Sequence, residues 1–412
     1  MKFLDFINFI HTEVKSDCKR ILIVTPDPNG GGSSRSMLTV AKYLKENRYD
    51  VMVVITKKGF VTDSLDKLGI NYEINPYIVL NIWPWILSWK DVLLYVPRLI
   101  RYFLFSLLSV FKLRKIAKKF RPDLVYSNSS LIMCGFRVAS SLDLPHLWHI
   151  RDFGNKDFGW TFFPTNEYKN RLMRATPSIS ITKEINQYYH LEKSGIVVYN
   201  GLKSKSDSSK ASPMPIHCFN PYFLFVGGIT ENKGCTDLIN AFCEYRKKGG
   251  SYDLLICGSG ENYYVNKLKS ILKKNHDVEN HVYFEGQVSN VDDYMMSAQA
   301  IIVPSKYEAF GRITAEAMFD RCLIIGRDVG GTKEQFDLGL RQNGHEIGLR
   351  FTTVEDLQAC MHEVESMSQT ERDSYIMPAF LTATDNFTID VYTERIQDYI
   401  EQVINPSYIV RK

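Results

Sequence analysis

Arg20-Ile21-Leu22-Ile23-Val24-Thr25 is a short apolar run that ends in turn residues. Bounded in this way, it reads as a buried strand. Gly30-Gly31-Gly32-Ser33 follows, and residues 34–49 then place Met37, Leu38, Ala41 and Leu44 at helical spacing. Residues 50–56 form a second apolar strand. The alternation continues through strands at 123–127, 145–150, 177–182 and 196–199. Strands that alternate with helices form a parallel sheet covered on both faces.

The pattern then breaks. Residues 203–215 read KSKSDSSKASPMP, a Ser/Lys/Pro stretch that cannot bury a core and marks a linker. Beyond it the alternation restarts, with strands at 222–226, 252–257, 281–284, 300–303 and 322–325. Two doubly wound halves around one linker imply a cleft, with ligands at the carboxyl ends of the strands. Tyr392, Ile396, Tyr399, Ile400 and Val403 then mark a terminal helix.

Bulk properties agree with this organisation. The chain has 412 residues, 45% hydrophobic and 23% charged, enough for two domains and unlike a disordered chain. Its 50 basic and 46 acidic side chains leave a charge of +4, too balanced to point to nucleic acid. The eight cysteines form no Cys-x-x-Cys pair and no cluster with zinc spacing. They read as buried small hydrophobes in a reducing compartment. Residues 3–10 contain Asp5 and read as a short amphipathic helix rather than a secretory leader.

The chemistry gathers in the loops after the strands. Gly30-Gly31-Gly32-Ser33 precedes a helix, and free amides in such a loop suit a phosphate. No Walker lysine or Gly-x-Gly-x-x-Gly spacing is present, which disfavours a P-loop or a dinucleotide site. Val226-Gly227-Gly228-Ile229-Thr230-Glu231-Asn232-Lys233-Gly234 places a lysine where a helix begins. The sharpest stretch runs Pro304-Ser305-Lys306-Tyr307-Glu308-Ala309-Phe310-Gly311-Arg312-Ile313-Thr314-Ala315-Glu316. Glu308 falls in its loop, Glu316 in the first turns of its helix, and amides near Gly311 and Ile313 between them. Gly330-Gly331-Thr332-Lys333-Glu334 repeats the design. Repeated phosphate-suited helix starts with carboxylates beside them point to a nucleotide sugar.

The spacing of Glu308 and Glu316 around Phe310-Gly311 resembles the family 4 retaining glycosyltransferases. So do Lys233-Gly234, Gly258-Ser259-Gly260, Pro304-Ser305, Gly330-Gly331 with Glu334, and Asn200-Gly201. The resemblance implies an α/β chain of the GT-B fold: two Rossmann-like, doubly wound parallel-sheet domains facing a central cleft. It implies an acceptor domain at 1–202, a linker at 203–221, a nucleotide-sugar domain at 222–385, and a helix at 386–412 that crosses back. Lys233 would neutralise the donor diphosphate, Glu316 would bind the ribose, and Glu308 would hold hydroxyls of the transferred sugar. Gly31, Gly32, Gly228, Gly258, Phe310, Gly311, Arg312, Ile313, Thr314 and Glu334 would complete the donor site. His149 would be the active-site histidine near the reacting carbon, with Asn128, Arg151 and Asp152 toward the acceptor. The family's arginine partner to Lys233 is absent, because Gly228 stands there; Arg151, Arg312 and Arg327 are the candidate replacements. Arg321 occupies a position where glycine is common.

The family reaction retains configuration and needs neither metal nor cofactor. For the acceptor, residues 77–121 are informative. Trp83, Trp85 and Trp89 flank a proline, and residues 92–122 hold eight bases and no acid around an apolar run at 102–111. A run of ten is too short to span a bilayer, but this combination suits an anionic membrane surface. The expected function is transfer from a nucleotide sugar, UDP rather than GDP, to a polyprenyl- or lipid-linked saccharide in bacterial polysaccharide or glycolipid assembly. The enzyme would sit at the cytoplasmic face of the membrane. Rival readings are a UDP-sugar epimerase on the same fold, a glycoside hydrolase using Glu308 and Glu316, and a non-catalytic nucleotide-sugar-binding subunit.

Overall fold

The computed structural model describes residues 18–83, 89–154, 156, 161–204 and 220–405. The amphipathic reading of 3–10, Trp85 and most of the linker lie outside the described residues.

Two parallel sheets are present. The first contains β1 (Arg20–Val24), β2 (Asp50–Ile55), β3 (Asn71–Ile74), β4 (Leu124–Ser127), β5 (His146–Ile150), β6 (Ser178–Ser180) and β7 (Gly195–Val197), in the order β3-β2-β1-β4-β5-β6-β7. The second contains β8 (Tyr222–Val226), β9 (Asp253–Cys257), β10 (Val282–Gly286), β11 (Ala300–Val303), β12 (Ile324–Arg327) and β13 (Leu349–Phe351), in the order β10-β9-β8-β11-β12-β13. Both are doubly wound, and each reverses direction between its first and fourth strands. Ligand sites of such sheets open at that reversal. It selects the loops after β1 and β4 in one domain and after β8 and β11 in the other.

Strand burial explains the sequence pattern. Residues 21–24 of β1 and all of β5 and β9 are buried, so these strands read as continuous apolar runs. Two strands escape the sequence reading. In β3, Asn-Tyr-Glu-Ile lies at a sheet edge with exposed and half-buried positions alternating; β13 is three residues long. Neither carries the apolar run that marks a central strand. Of the seven cysteines among the described residues, six are buried and Cys18 is half-buried.

The chain crosses between domains twice, and the two crossings touch. Leu202 donates its amide to the Phe387 carbonyl at 2.9 Å, and Ile389 donates to the Lys203 carbonyl at 3.1 Å. A Cβ on Gly201 would stand 2.8 Å from the Ile389 Cα, so only glycine permits the approach. After the second crossing, the helix Ile389–Ile404 buries Tyr392, Ile396 and Ile400 in the core of the first domain. At the crossing an aromatic cluster joins the domains. Phe387 meets Tyr199 at 5.5 Å and Phe310 at 5.7 Å between ring centroids, both edge-on.

Phe387 has no exposed surface. Truncation to alanine is expected to cost about 3–5 kcal/mol, with both domains melting earlier in denaturant titrations followed by calorimetry and intrinsic fluorescence.

Candidate active site

Two helices begin where the switch-point loops face one another. The helix Gly32–Glu46 starts after β1, and the helix Arg312–Phe319 starts after β11. Neither has a side-chain cap. Glycine at their N-cap positions, Gly31 and Gly311, provides no side chain to accept from the first-turn amides. The two starts meet across the cleft: a Cβ on Gly32 would stand 2.9 Å from Arg312 Cδ. Uncapped helix starts from opposite domains converge their positive ends on one place, which suits an anion.

Cations and carboxylates surround that place in pairs. Lys233 Nζ lies 2.7 Å from Glu308 Oε2, and Arg312 Nη2 lies 3.1 Å from Glu316 Oε1. Burial raises the Glu316 carboxyl above the usual range, and Arg312 opposes the rise. Thr314 shares a 3.0 Å hydrogen bond with Thr332, and Phe310 is buried in the core that joins the domains. Beside Glu308 a cavity of about 500 Å³ opens between Phe153, Lys156 and Glu184 of one domain and Tyr307, Glu308 and Lys333 of the other.

This site is built from the regions that family comparisons recognise. Residues 219–368 match the family described as glycosyl transferases group 1, and residues 30–203 match glycosyltransferase family 4. The chain belongs to the family 4, group 1 glycosyltransferases. It is 25% identical over 261 residues to an uncharacterized glycosyltransferase of Methanocaldococcus jannaschii, covering 60% of this chain and 68% of that protein. Among solved structures, a glycosyltransferase of Rickettsia africae superposes with a TM-score of 0.75 at 18% identity, covering 94% of this chain and 99% of that one. Anabaena HepE in complex with UDP superposes with a TM-score of 0.70 at 18% identity, covering 93% and 100%. The fold is GT-B.

The glycosyltransferase departs from several sequence expectations. Of the three arginines considered as a partner for Lys233, Arg312 stands at the meeting of the loops. Arg327 is tied to Asp237 at 2.5 Å and to the carbonyls of Pro304 and Thr352. Arg151 is buried, donating to Asn128 Oδ1 at 2.8 Å, Asn200 Oδ1 at 2.9 Å and Tyr392 Oη at 3.1 Å. Asn128 and Arg151 therefore brace the crossing, while the Asp152 carbonyl accepts from Tyr189 at 3.3 Å. Arg321 adopts φ +54°, a left-handed conformation that explains why glycine suits its position.

Gly330-Gly331 is not an open phosphate loop. The Gly331 amide donates to the Glu308 carbonyl at 2.7 Å, and Cβ atoms on the two glycines would meet the Glu308 and Phe310 backbones at 2.2 Å. The glycines let this helix pack under the Glu308 loop. Gly258 likewise lies against Gly227, whose carbonyl is 1.8 Å from where its Cβ would be, whereas a Cβ on Gly228 would make only an ordinary 3.9 Å contact with Thr230 Cγ2.

Glu334 is engaged across the domain seam. Its carboxylate reaches into the other domain and accepts from the Lys183 amide at 2.7 Å, the Glu184 amide at 3.1 Å and Tyr199 Oη at 2.8 Å. It clamps the domains together. The adjacent Gln335, which sequence reasoning missed, donates to the carbonyls of Phe310 and Gly311. One helical turn thus links closure to the loop that presents the Gly311 amide.

His149 lies within the first domain rather than on an exposed cleft wall. It has no exposed surface and bonds Tyr126 through Nδ1, with Arg151 Nη2 at 3.4 Å. Strand alternation turns Trp148 and Ile150 to one face of β5 and His149 to the other, toward Tyr392. Burial, reinforced by Arg151, holds its ring well below the ordinary imidazole range. Lys169 is a further surprise. It lies buried 3.1 Å from the Phe162 ring centroid and 3.2 Å from Ser130 Oγ, and burial lowers it to about 7 against the pull of Asp152. On a helix reading NEYKNRLMR, nothing marks that lysine as buried.

The clamp makes a clear prediction. Glu334→Ala should cost about 1–3 kcal/mol in chemical denaturation by leaving the buried Tyr199 hydroxyl and two part-buried amides without their acceptor, while nucleotides still raise the melting temperature. A donor ligand would give the opposite split. A second prediction concerns pH. His146 is lowered to about 3 by burial, and His149 is lowered as well. Below pH 6.5 the unfolded chain therefore binds protons that the native state refuses, so stability falls as pH falls. Each ring adds a slope of about 1.4 kcal/mol per pH unit. His146→Gln with His149→Asn should flatten denaturation midpoints between pH 6.5 and 4.5.

Proposed function

We propose that this glycosyltransferase moves a sugar from UDP to a hydroxyl of a lipid-linked saccharide, with retention of configuration and without a metal ion. The observation that carries the reading is the meeting of two uncapped helix starts, one from each domain, at Gly32 and Arg312. A diphosphate placed there would accept from both sets of amides. Lys233 and Arg312 would offset the charge that builds on the leaving phosphate, a stabilisation concentrated in the transition state. The bond from sugar C1 to the diphosphate oxygen breaks, the acceptor oxygen bonds C1 from the same face, and the leaving phosphate takes the acceptor's proton.

Glu316 would hold the ribose and Glu308 the hydroxyls of the transferred sugar. The cavity beside Glu308 has room for that sugar and the attacking hydroxyl. Closure held by Glu334 would keep water from the donor. The UDP complex of the Anabaena structure supports UDP as the nucleotide. The largely buried cysteines among the described residues fit a reducing, cytoplasmic setting for bacterial polysaccharide or glycolipid assembly.

Melting curves with UDP, GDP and dTDP in the absence of magnesium test this reading. UDP at about 100 times its dissociation constant should stabilise by about 2.7 kcal/mol, and Glu316→Ala should diminish the gain. In a transfer assay Lys233→Ala and Arg312→Ala should each lower kcat by about 10²–10³ with less effect on KM, and NMR should show the donor's anomeric configuration in the product. Failure of every nucleotide to shift the folded protein would sink the donor site, and an inverted product would overturn the mechanism.

A further inference from the structure

The helix Trp89–Phe120 is 32 residues long and, by length and composition alone, apolar enough to cross a bilayer. Its packing tells against a span. Leu113, Ala117 and Phe120 are buried with Ile78, Val125 and Ile132 in a core of the first domain. Asn75 Nδ2 donates to the Ser109 carbonyl at 3.0 Å, and Asn81 Nδ2 bonds Tyr102 Oη at 2.6 Å. One face is therefore fastened to the protein.

The opposite face is bare. Leu93, Val96, Ile100, Leu104, Leu107 and Phe111 follow one another at helical spacing and are each 52–71% exposed. They make an apolar stripe about 27 Å long at 1.5 Å per residue. A soluble helix normally buries such a stripe. The same line of the helix then turns basic, with Arg114, Lys115, Lys118 and Arg121 exposed, and Lys115 Nζ 4.4 Å from the Phe111 ring centroid. No acid occurs anywhere in residues 92–122.

The stripe also has a direction. Phe120 lies at the amino end of the first sheet, where its carbonyl accepts from Arg20 at the start of β1. The apolar half therefore runs toward the carboxyl ends of the strands, where the cleft opens. There the Phe163 ring touches Phe103 at 5.3 Å and Trp83 at 4.7 Å between centroids. Phe163 follows Phe162, which covers Lys169 in the region of Asp152.

We infer that this stripe is a docking surface for an anionic lipid bilayer, with the helix lying in the interface, its apolar side chains in the acyl boundary and its basic end on the headgroups. Charge decides between occupants. Arg98 is paired with Asp91 of the same helix at 2.7 Å, but a second copy of the chain would bring its own Arg114, Lys115, Lys118 and Arg121 onto the same interface, with no acid in line with the stripe to pair them. Anionic headgroups satisfy the bases, and acyl chains cover the stripe. The inference rests on the lipid-linked acceptor proposed above and adds its delivery: an acceptor held in the bilayer meets the protein on the side where the cleft opens.

Co-sedimentation of the full chain with phosphatidylcholine vesicles, with and without phosphatidylglycerol, tests it. Wild type should bind the anionic vesicles more than about tenfold tighter and release as salt rises. Leu93→Glu with Leu107→Glu should abolish binding to both compositions. Arg114→Glu with Lys115→Glu and Lys118→Glu should remove only the preference for phosphatidylglycerol. All these positions are exposed, and the UDP melting shift of each variant reports an intact donor site. Wild type remaining in the supernatant would overturn the inference, as would a dimer in light scattering that Leu107→Glu dissociates. Vesicle binding without any nucleotide shift would instead count against the donor reading alone.

Discussion

Two domains that each form their own sheet have no reason to hold a fixed angle unless buried contacts run between them. Here Tyr199, Phe310 and Phe387 come together where the chain crosses, and the Glu334 carboxylate bonds three donors of the opposite domain. Breaking that carboxylate's contacts would leave the buried Tyr199 hydroxyl without its acceptor and two amides half-desolvated, which is costly. The seam therefore fixes distance and angle together. Phe310 belongs both to the seam and to the loop between Glu308 and Gly311, so the architecture and the site share a residue.

This arrangement decides the electrostatics of the cleft. Amides left without caps are tolerated at an exposed helix start, where water serves them. Two such starts brought together, with Arg312 at their junction, make a region that favours negative charge. Lys233 and Arg312 are each balanced by a glutamate, so neither cation stands alone in the cleft. An incoming diphosphate can compete for these cations, while the glutamates remain to accept from hydroxyls. The nucleotide sugar proposed as donor carries both.

The first domain adds a second polarity, along its surface. The helix Trp89–Phe120 is anchored through its carboxyl-terminal half, where the buried residues lie, and its apolar amino-terminal half is left bare. Running against the strands, it sets its apolar part toward the cleft and its basic part toward the opposite edge. Under the proposed reading, a soluble donor and a membrane-held acceptor would approach from different sides. The packing within one domain, rather than any loop, sets this division.

Much of this was legible in the residues. Apolar runs of the central strands gave both sheets because strands buried on two faces leave an uninterrupted signal, whereas β3 and β13 lacked it. Glu308, Glu316, Lys233 and Gly311 were legible because their loops carry small residues and charges at helix starts. The bare stripe showed itself as bases and apolar residues without an acid. Other roles depended on packing. Whether a glycine pair receives a phosphate or another loop, as at Gly330-Gly331, turns on what lies above it. Whether Glu334 faces a ligand or the other domain depends on the seam. The side of β5 that His149 occupies follows from strand phase, and the burial of Lys169 follows from rings distant in sequence. The sequence by itself determined the alternation of elements, the two sheets and the chemical types at the strand ends, because these depend on local periodicity and turn chemistry. Only the tertiary structure decided which of those groups face the cleft, because burial and partnership are set by the approach of segments far apart along the chain.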